Sequence, residues 1–115
     1  MLKRVPVKYI RDKCKSQYVK DTKCAICGAT SDLEFHHYYS ISELLQKYIK
    51  QNRLNIDDVL EYRDDFIAKH QAELFDLTVT LCSSCHSRLH KIYGVSPKLV
   101  TAKKQMRWIE RVKNV

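Results

Sequence analysis

The sequence predicts an α+β fold, mainly helical, stapled by a four-cysteine zinc site. Most of the chain repeats apolar residues at helical spacing, and only two short stretches read as strands. Two Gly and two Pro among 115 residues are too few for a turn-rich all-β fold. Two Cys-x2-Cys pairs, Cys24/Cys27 and Cys82/Cys85, have the spacing of loops that bring four thiolates to one tetrahedral zinc ion.

The elements follow in chain order. Pro6 opens a basic helix over residues 6–18, with Val7, Ile10, Cys14 and Tyr18 on one face. Cys14 lies on that apolar stripe and reads as a buried free thiol. The first knuckle is Cys24-Ala25-Ile26-Cys27-Gly28, where Gly28 suits the tight turn after the second thiolate. Leu33-Glu34-Phe35-His36-His37 alternates as a strand does. Fifty-four residues separate Cys27 from Cys82, where a compact zinc ribbon uses roughly 15–20. A helical insertion over residues 40–74 accounts for the excess.

Its first helix starts at the capping box Ser40-Ile41-Ser42-Glu43 and runs along Ile41, Leu44, Leu45, Tyr48 and Ile49. Asn55 caps its second, whose apolar face is Ile56, Val59, Leu60, Phe66, Ile67 and Leu74. The two are expected to form a hairpin, with His70 a packed helix residue. Leu77–Leu81 reads as the second strand and runs into Cys82-Ser83-Ser84-Cys85. A short helix carrying His86, Arg88, Leu89 and His90 ends at Gly94. Ser96-Pro97 then opens a last basic helix over residues 97–113. Its inner stripe is Leu99, Ala102, Met106, Ile109 and Val112, and Lys98, Lys103, Lys104, Arg107 and Arg111 lie mostly outside it. Trp108, Tyr38 and Tyr39 are expected to pack rather than to stack on bases.

Composition excludes several classes. No run of about 18 apolar residues exists to span a membrane. The first residues carry no apolar leader, so the expected compartment is the cytoplasm, the host's if the chain is phage-encoded. A reducing compartment favours metal ligation over disulfides for the cysteines. The net charge of +8 is segregated. Residues 1–23 hold eight Lys/Arg against two Asp, residues 24–85 five against ten acids, and residues 86–115 eight against one. Basic ends around an acidic middle suit a polyanion held by the ends.

Four of the five histidines fall beside the knuckles: His36-His37 after the first, and His86 and His90 after the second. His86 and His90, four apart on a helix, share a face and can grip one ion. An alternative is a single zinc site of Cys82, Cys85, His86 and His90, which would leave Cys24 and Cys27 without partners.

Cys-x2-Cys, Leu-Glu-Phe-His-His and Thr-Leu-Cys-Ser-Ser-Cys-His-Ser-Arg-Leu-His together resemble the zinc-containing branch of the HNH (His-Asn-His) endonucleases, phage-like in size. The resemblance covers residues 24–37 and 77–90 and implies a ββα-metal core, residues 24–37 and 76–93, within one nuclease domain over 1–115. It implies His37 as the general base and His36, His86 and His90 as ligands of a catalytic divalent cation such as Mg²⁺ or Mn²⁺. The four cysteines would hold structural Zn²⁺.

The family Asn position falls on Leu77, with Asp76 beside it. The expected function is metal-dependent hydrolysis of DNA phosphodiesters, as a nick or a double-strand break. Arg88, Lys91, Lys103, Lys104, Arg107 and Arg111 would touch DNA, and a homodimer or larger phage complex is the possible assembly. The alternative is a non-catalytic zinc-stabilised DNA-binding module. The histidine set argues against it, since a pure binder needs no His37, His86 and His90 beside a complete four-cysteine site.

Overall fold

A computed structural model describes residues 2–113. Helix α1, Pro6–Cys14, starts at Pro6 behind an extended Val5 and buries Ile10 and Cys14. It stops short of Tyr18. A 3₁₀ turn, Lys15–Gln17, tightens its end and leaves Tyr18 extended, so that its ring stacks on Phe35 with centroids 4.4 Å apart.

Strand β1, Leu33–His37, pairs antiparallel with β2, Thr78–Cys82, in a regular register from Leu33↔Cys82 to His37↔Thr78. Between them, α2, Ile41–Asn52, is capped by the Ser40 hydroxyl, which accepts from the Glu43 N–H at 3.3 Å. It ends on Arg53 in the left-handed region. Asn55 caps a 3₁₀ turn, Ile56–Asp58, that leads into α3, Val59–Lys69.

Here the chain departs from the periodic reading. The buried face of α3 is Val59, Tyr62, Phe66 and Ile67, while Leu60 is 52% exposed. Leu60 sits one residue, about 100° of helix, off the Val59–Tyr62–Phe66 line. The helix ends at Lys69, and Ala72–Asp76 form one π-helical turn that carries the buried Leu74.

Helix α4, Ser83–Tyr93, ends at Gly94, whose φ of 93° favours glycine. Ser96-Pro97 does not start the last helix. Lys98 is extended, a 3₁₀ turn spans Leu99–Thr101, and α5 covers Ala102–Val112. Its buried residues are Ala102, Gln105, Trp108 and Ile109, with Met106 and Val112 only half-buried.

Two separate cores result. In one, Ile10 and Cys14 of α1 pack with Leu44, Leu45 and Tyr48 of α2, with Val59 and Phe66 of α3, and with Leu74. In the other, Cys24, Ile26, Leu81, Cys82, Cys85 and Leu89 pack with Trp108 and Ile109 of α5. The basic α1 thus lies on the acidic insertion, with Lys13 and Asp64 3.5 Å apart. No helix among the described residues is long and apolar enough to cross a membrane.

Candidate active site

The knuckles are built by local backbone chemistry. Gly28, at φ 76°, closes the first by donating to the Cys24 carbonyl at 3.0 Å. Ala25 N–H donates to the Thr80 carbonyl at 3.0 Å, which fastens this loop to β2. Cys82 ends β2 and Cys85 lies in the first turn of α4. The N–H groups of Ile26 and Cys85 point at the sulfurs of Cys24 (3.4 Å) and Cys82 (3.5 Å). Burial opposes a Cys24 thiolate, yet the backbone N–H groups around its sulfur outweigh it and bring the pKa down to about 6. The four sulfurs lie within 4.8 Å of one another, and those of Cys27 and Cys82 are 3.7 Å apart. Sulfurs bound tetrahedrally at roughly 2.3 Å stand about 3.8 Å apart, so the set fits zinc.

A second cluster lies next to it. His36 Nδ1 is 3.1 Å from His86 Nε2, which is 2.9 Å from His90 Nε2. The other nitrogen of each ring is engaged. His86 Nδ1 meets the Glu34 carboxylate at 2.7 Å, His90 Nδ1 the Gly94 carbonyl at 2.7 Å, and His36 Nε2 the Gln105 side chain at 2.8 Å. Carboxylate and carbonyl only accept, so His86 and His90 carry their protons there and turn bare Nε2 lone pairs toward each other. Lone pairs this close repel unless a cation lies among them. Nitrogens bound at about 2.1 Å stand roughly 3.0–3.4 Å apart, so this donor set also fits a divalent metal. The alternative of one mixed Cys82–Cys85–His86–His90 site is not what the geometry groups: sulfurs and imidazoles form two separate sets.

His37 stands on the opposite face of β1. His36 meets Tyr38 edge-on and His37 meets Phe35 edge-on, as strand alternation requires. No bulge brings them together. Instead β1 ends at His37, and a cavity of about 380 Å³ wraps that end and is lined by both histidines with His86 and His90. The His37 Nε2–H donates to the Leu74 carbonyl at 2.9 Å, leaving Nδ1 bare. Burial pushes the His37 pKa down to about 4, assisted by the Arg11 charge and opposed by the Leu74 carbonyl. Burial likewise pushes His36 down to about 3. Both rings are neutral at pH 7.

Several side chains that touch this site escape a linear reading. Arg11, on α1, and Lys15, in the 3₁₀ turn that follows it, line the cavity, and their i, i+4 spacing is the signal the sequence carries. Glu34 shares a strand face with His36 two residues on. Gln105 was visible only as a polar residue in line with Ala102 and Ile109. Conversely, Lys103, Lys104, Arg107 and Arg111 are exposed on α5 and do not line the cavity. Lys104, Arg107 and Arg111 border a separate groove with Tyr93 and Glu110. Lys91 is exposed on α4, and the Arg88 guanidinium lies 5.5 Å from the Trp108 ring centroid. At Leu77, where the HNH resemblance would put an Asn, the contact is through backbone: Tyr38 N–H donates to the Leu77 carbonyl at 3.4 Å, while Asp76 is exposed. The insertion reaches the site: Ser40 and Ile41 line the cavity and the Leu74 carbonyl accepts from His37.

Compared with known families, the chain matches the phage T5 Nicking endonuclease family over residues 1–115. No solved structure matches it.

Proposed function

Since the chain belongs to the phage T5 nicking endonuclease family, it is an enzyme that cuts DNA, and we propose that it does so as a metal-dependent HNH hydrolase. The carrying observation is the convergence of three imidazole nitrogens, at 2.9 and 3.1 Å, in the cavity that also exposes His37. His36 Nδ1 and the Nε2 atoms of His86 and His90 would hold the cation, and Cys24, Cys27, Cys82 and Cys85 a closed structural zinc. A bound divalent cation supplies Lewis-acid charge to the scissile phosphate and the leaving 3′-oxygen.

The chain's own residues do the rest. His37, neutral and bare at Nδ1, takes a proton from the attacking water. The Leu74 carbonyl holds the ring in that tautomer and favours the imidazolium as it forms. Arg11, from α1, and Lys15, from the 3₁₀ turn after it, face the phosphate. Lys103, Lys104, Arg107 and Arg111, with Arg88 and Lys91, hold the DNA backbone outside the cavity. Water attack on phosphorus leaves 5′-phosphate and 3′-hydroxyl ends.

Plasmid nicking in Mg²⁺ or Mn²⁺, with and without EDTA, tests the metal requirement. His37→Ala is expected to slow single-turnover cleavage by roughly 10²–10⁴. Its DNA affinity should stay nearly unchanged, because affinity comes from phosphate contacts by Lys and Arg. Cutting by His37→Ala at the wild-type rate removes the base assignment. Cutting that survives EDTA removes the metal.

A further inference from the structure

The metal ligand His36 can offer either ring nitrogen, and β1 alone does not decide which. We infer that Gln105 is a positioning residue that locks His36 in the tautomer whose Nδ1 faces the cation, so that α5 sets the metal affinity of a site it does not ligate. This rests on the three-histidine reading above.

The argument is one of hydrogen-bond polarity. The Thr101 hydroxyl donates to the Lys98 carbonyl at 2.6 Å, so its oxygen is left to accept. The Gln105 amide nitrogen lies 3.0 Å from that oxygen and 3.1 Å from the Tyr38 carbonyl, which can only accept. Both contacts need the NH₂ end of Gln105. Its carbonyl oxygen must therefore face His36 Nε2, at 2.8 Å, and that nitrogen must carry the proton. Flipping the amide would set carbonyl against carbonyl at Tyr38. The direction of the chain is fixed by two main-chain carbonyls and passes through Gln105 to His36.

Burial makes the lock strict. Gln105 is 0% exposed and His36 2% exposed, so water does not replace a missing partner. The competing tautomer has a specific consequence. With its proton on Nδ1, His36 would donate to His86 Nε2, 3.1 Å away. That bond would occupy the lone pair of a second ligand and close the site on itself. Gln105 disfavours it by setting an acceptor against the nitrogen that would then also be an acceptor.

The test uses the full chain with its cysteine zinc retained and Co²⁺ as the probe for the histidine site. It reads affinity by calorimetry and by the visible absorption of bound Co²⁺, and the His36 tautomer by ¹⁵N NMR of the ring. Wild type is expected to carry the His36 proton on Nε2. Gln105→Leu is expected to weaken Co²⁺ by about 10–100-fold and to move that proton toward Nδ1, with zinc content unchanged. Gln105→Glu keeps an acceptor toward Nε2 while losing the donor to Tyr38. It should hold Co²⁺ within a few-fold of wild type, whereas a role confined to docking α5 would make Glu as damaging as Leu.

Wild-type affinity in a folded Gln105→Leu protein overturns the inference, and so does Glu behaving as Leu does. So does a wild-type His36 protonated on Nδ1, a measurement that decides the matter even if the leucine variant does not fold. If wild type takes up no Co²⁺ beyond its zinc, the three-histidine reading itself has failed. If wild type binds Co²⁺ and only the Gln105 variants fail to respond, the positioning role alone is lost.

Discussion

The two cores of this protein are held together by different physics. Around α1, α2 and α3, the fully buried side chains include Ile10, Leu45, Val59, Phe66 and Leu74, and the packing is that of an ordinary helical core. Around β2, α4 and α5, three of the eight buried residues are the cysteines Cys24, Cys82 and Cys85. The first core is stabilised by apolar area removed from water. The second is smaller, and its four clustered thiols could hold a metal ion whose thiolate bonds would add to the apolar burial. The candidate active cavity lies where they meet: His36 is fixed by the second, through Gln105, and His37 by the first, through Leu74. Chemistry at the seam therefore needs both cores intact.

The sharpest way to break this comparison is to remove one thiolate. Cys82→Ser should forfeit much of a zinc-linked folding free energy on the order of 10 kcal/mol. Metal analysis should find the zinc lost, and proteolysis should open the knuckle region first. Unchanged zinc content and thermal stability would end the four-cysteine assignment.

Truncation in the other core comes next. Phe66 is fully buried against Tyr48 and His70. Phe66→Ala is expected to cost about 3–5 kcal/mol in denaturant unfolding, with zinc still bound if the cores are as distinct as their contacts imply.

Acid probes the seam itself. His37 is held near 4 in the fold against 6.5 when unperturbed. The folded state thus prefers its neutral ring, and that stabilisation is complete above 6.5 and lost as the pH falls toward 4. Roughly 1–2 kcal/mol should disappear between pH 7 and pH 5 from this residue. His37→Gln should show a shallower pH slope of the urea midpoint.

The smallest expected effect is at the start of α2. Ser40→Ala removes the hydroxyl that accepts from Glu43 N–H, at about 1 kcal/mol. It should leave zinc binding untouched.

Local chemistry was legible. Strand Leu33–His37, the Ser40 and Asn55 caps, the Gly28 and Gly94 turns and the buried Cys14 follow from neighbours a few residues away. So did the proximity of His36, His86 and His90, because each lies within a dozen residues of a knuckle that ties its segment down. Two periodic readings ran past their elements. The apolar spacing continues past α3 to Leu74, where a π turn intervenes, and it points to a last helix from Pro97, although Lys98 is extended and a 3₁₀ turn precedes α5. Periodicity reports which residues avoid water, and a buried π turn or an extended segment satisfies that condition as well as a helix does.

The sequence by itself determined the candidates: which cysteines and histidines could hold a metal ion and which histidine could take a proton. The tertiary structure alone decided how those groups are aimed. Arg11 and Lys15 reach the cavity because α1 packs on the insertion, the Leu74 carbonyl reaches His37 because α3 breaks, and Gln105 meets His36 across 69 residues of chain. An imidazole has two nitrogens and a strand two faces. Strand alternation sets the face, the hydrogen-bond partner on the far side of the ring sets the nitrogen, and packing supplies that partner.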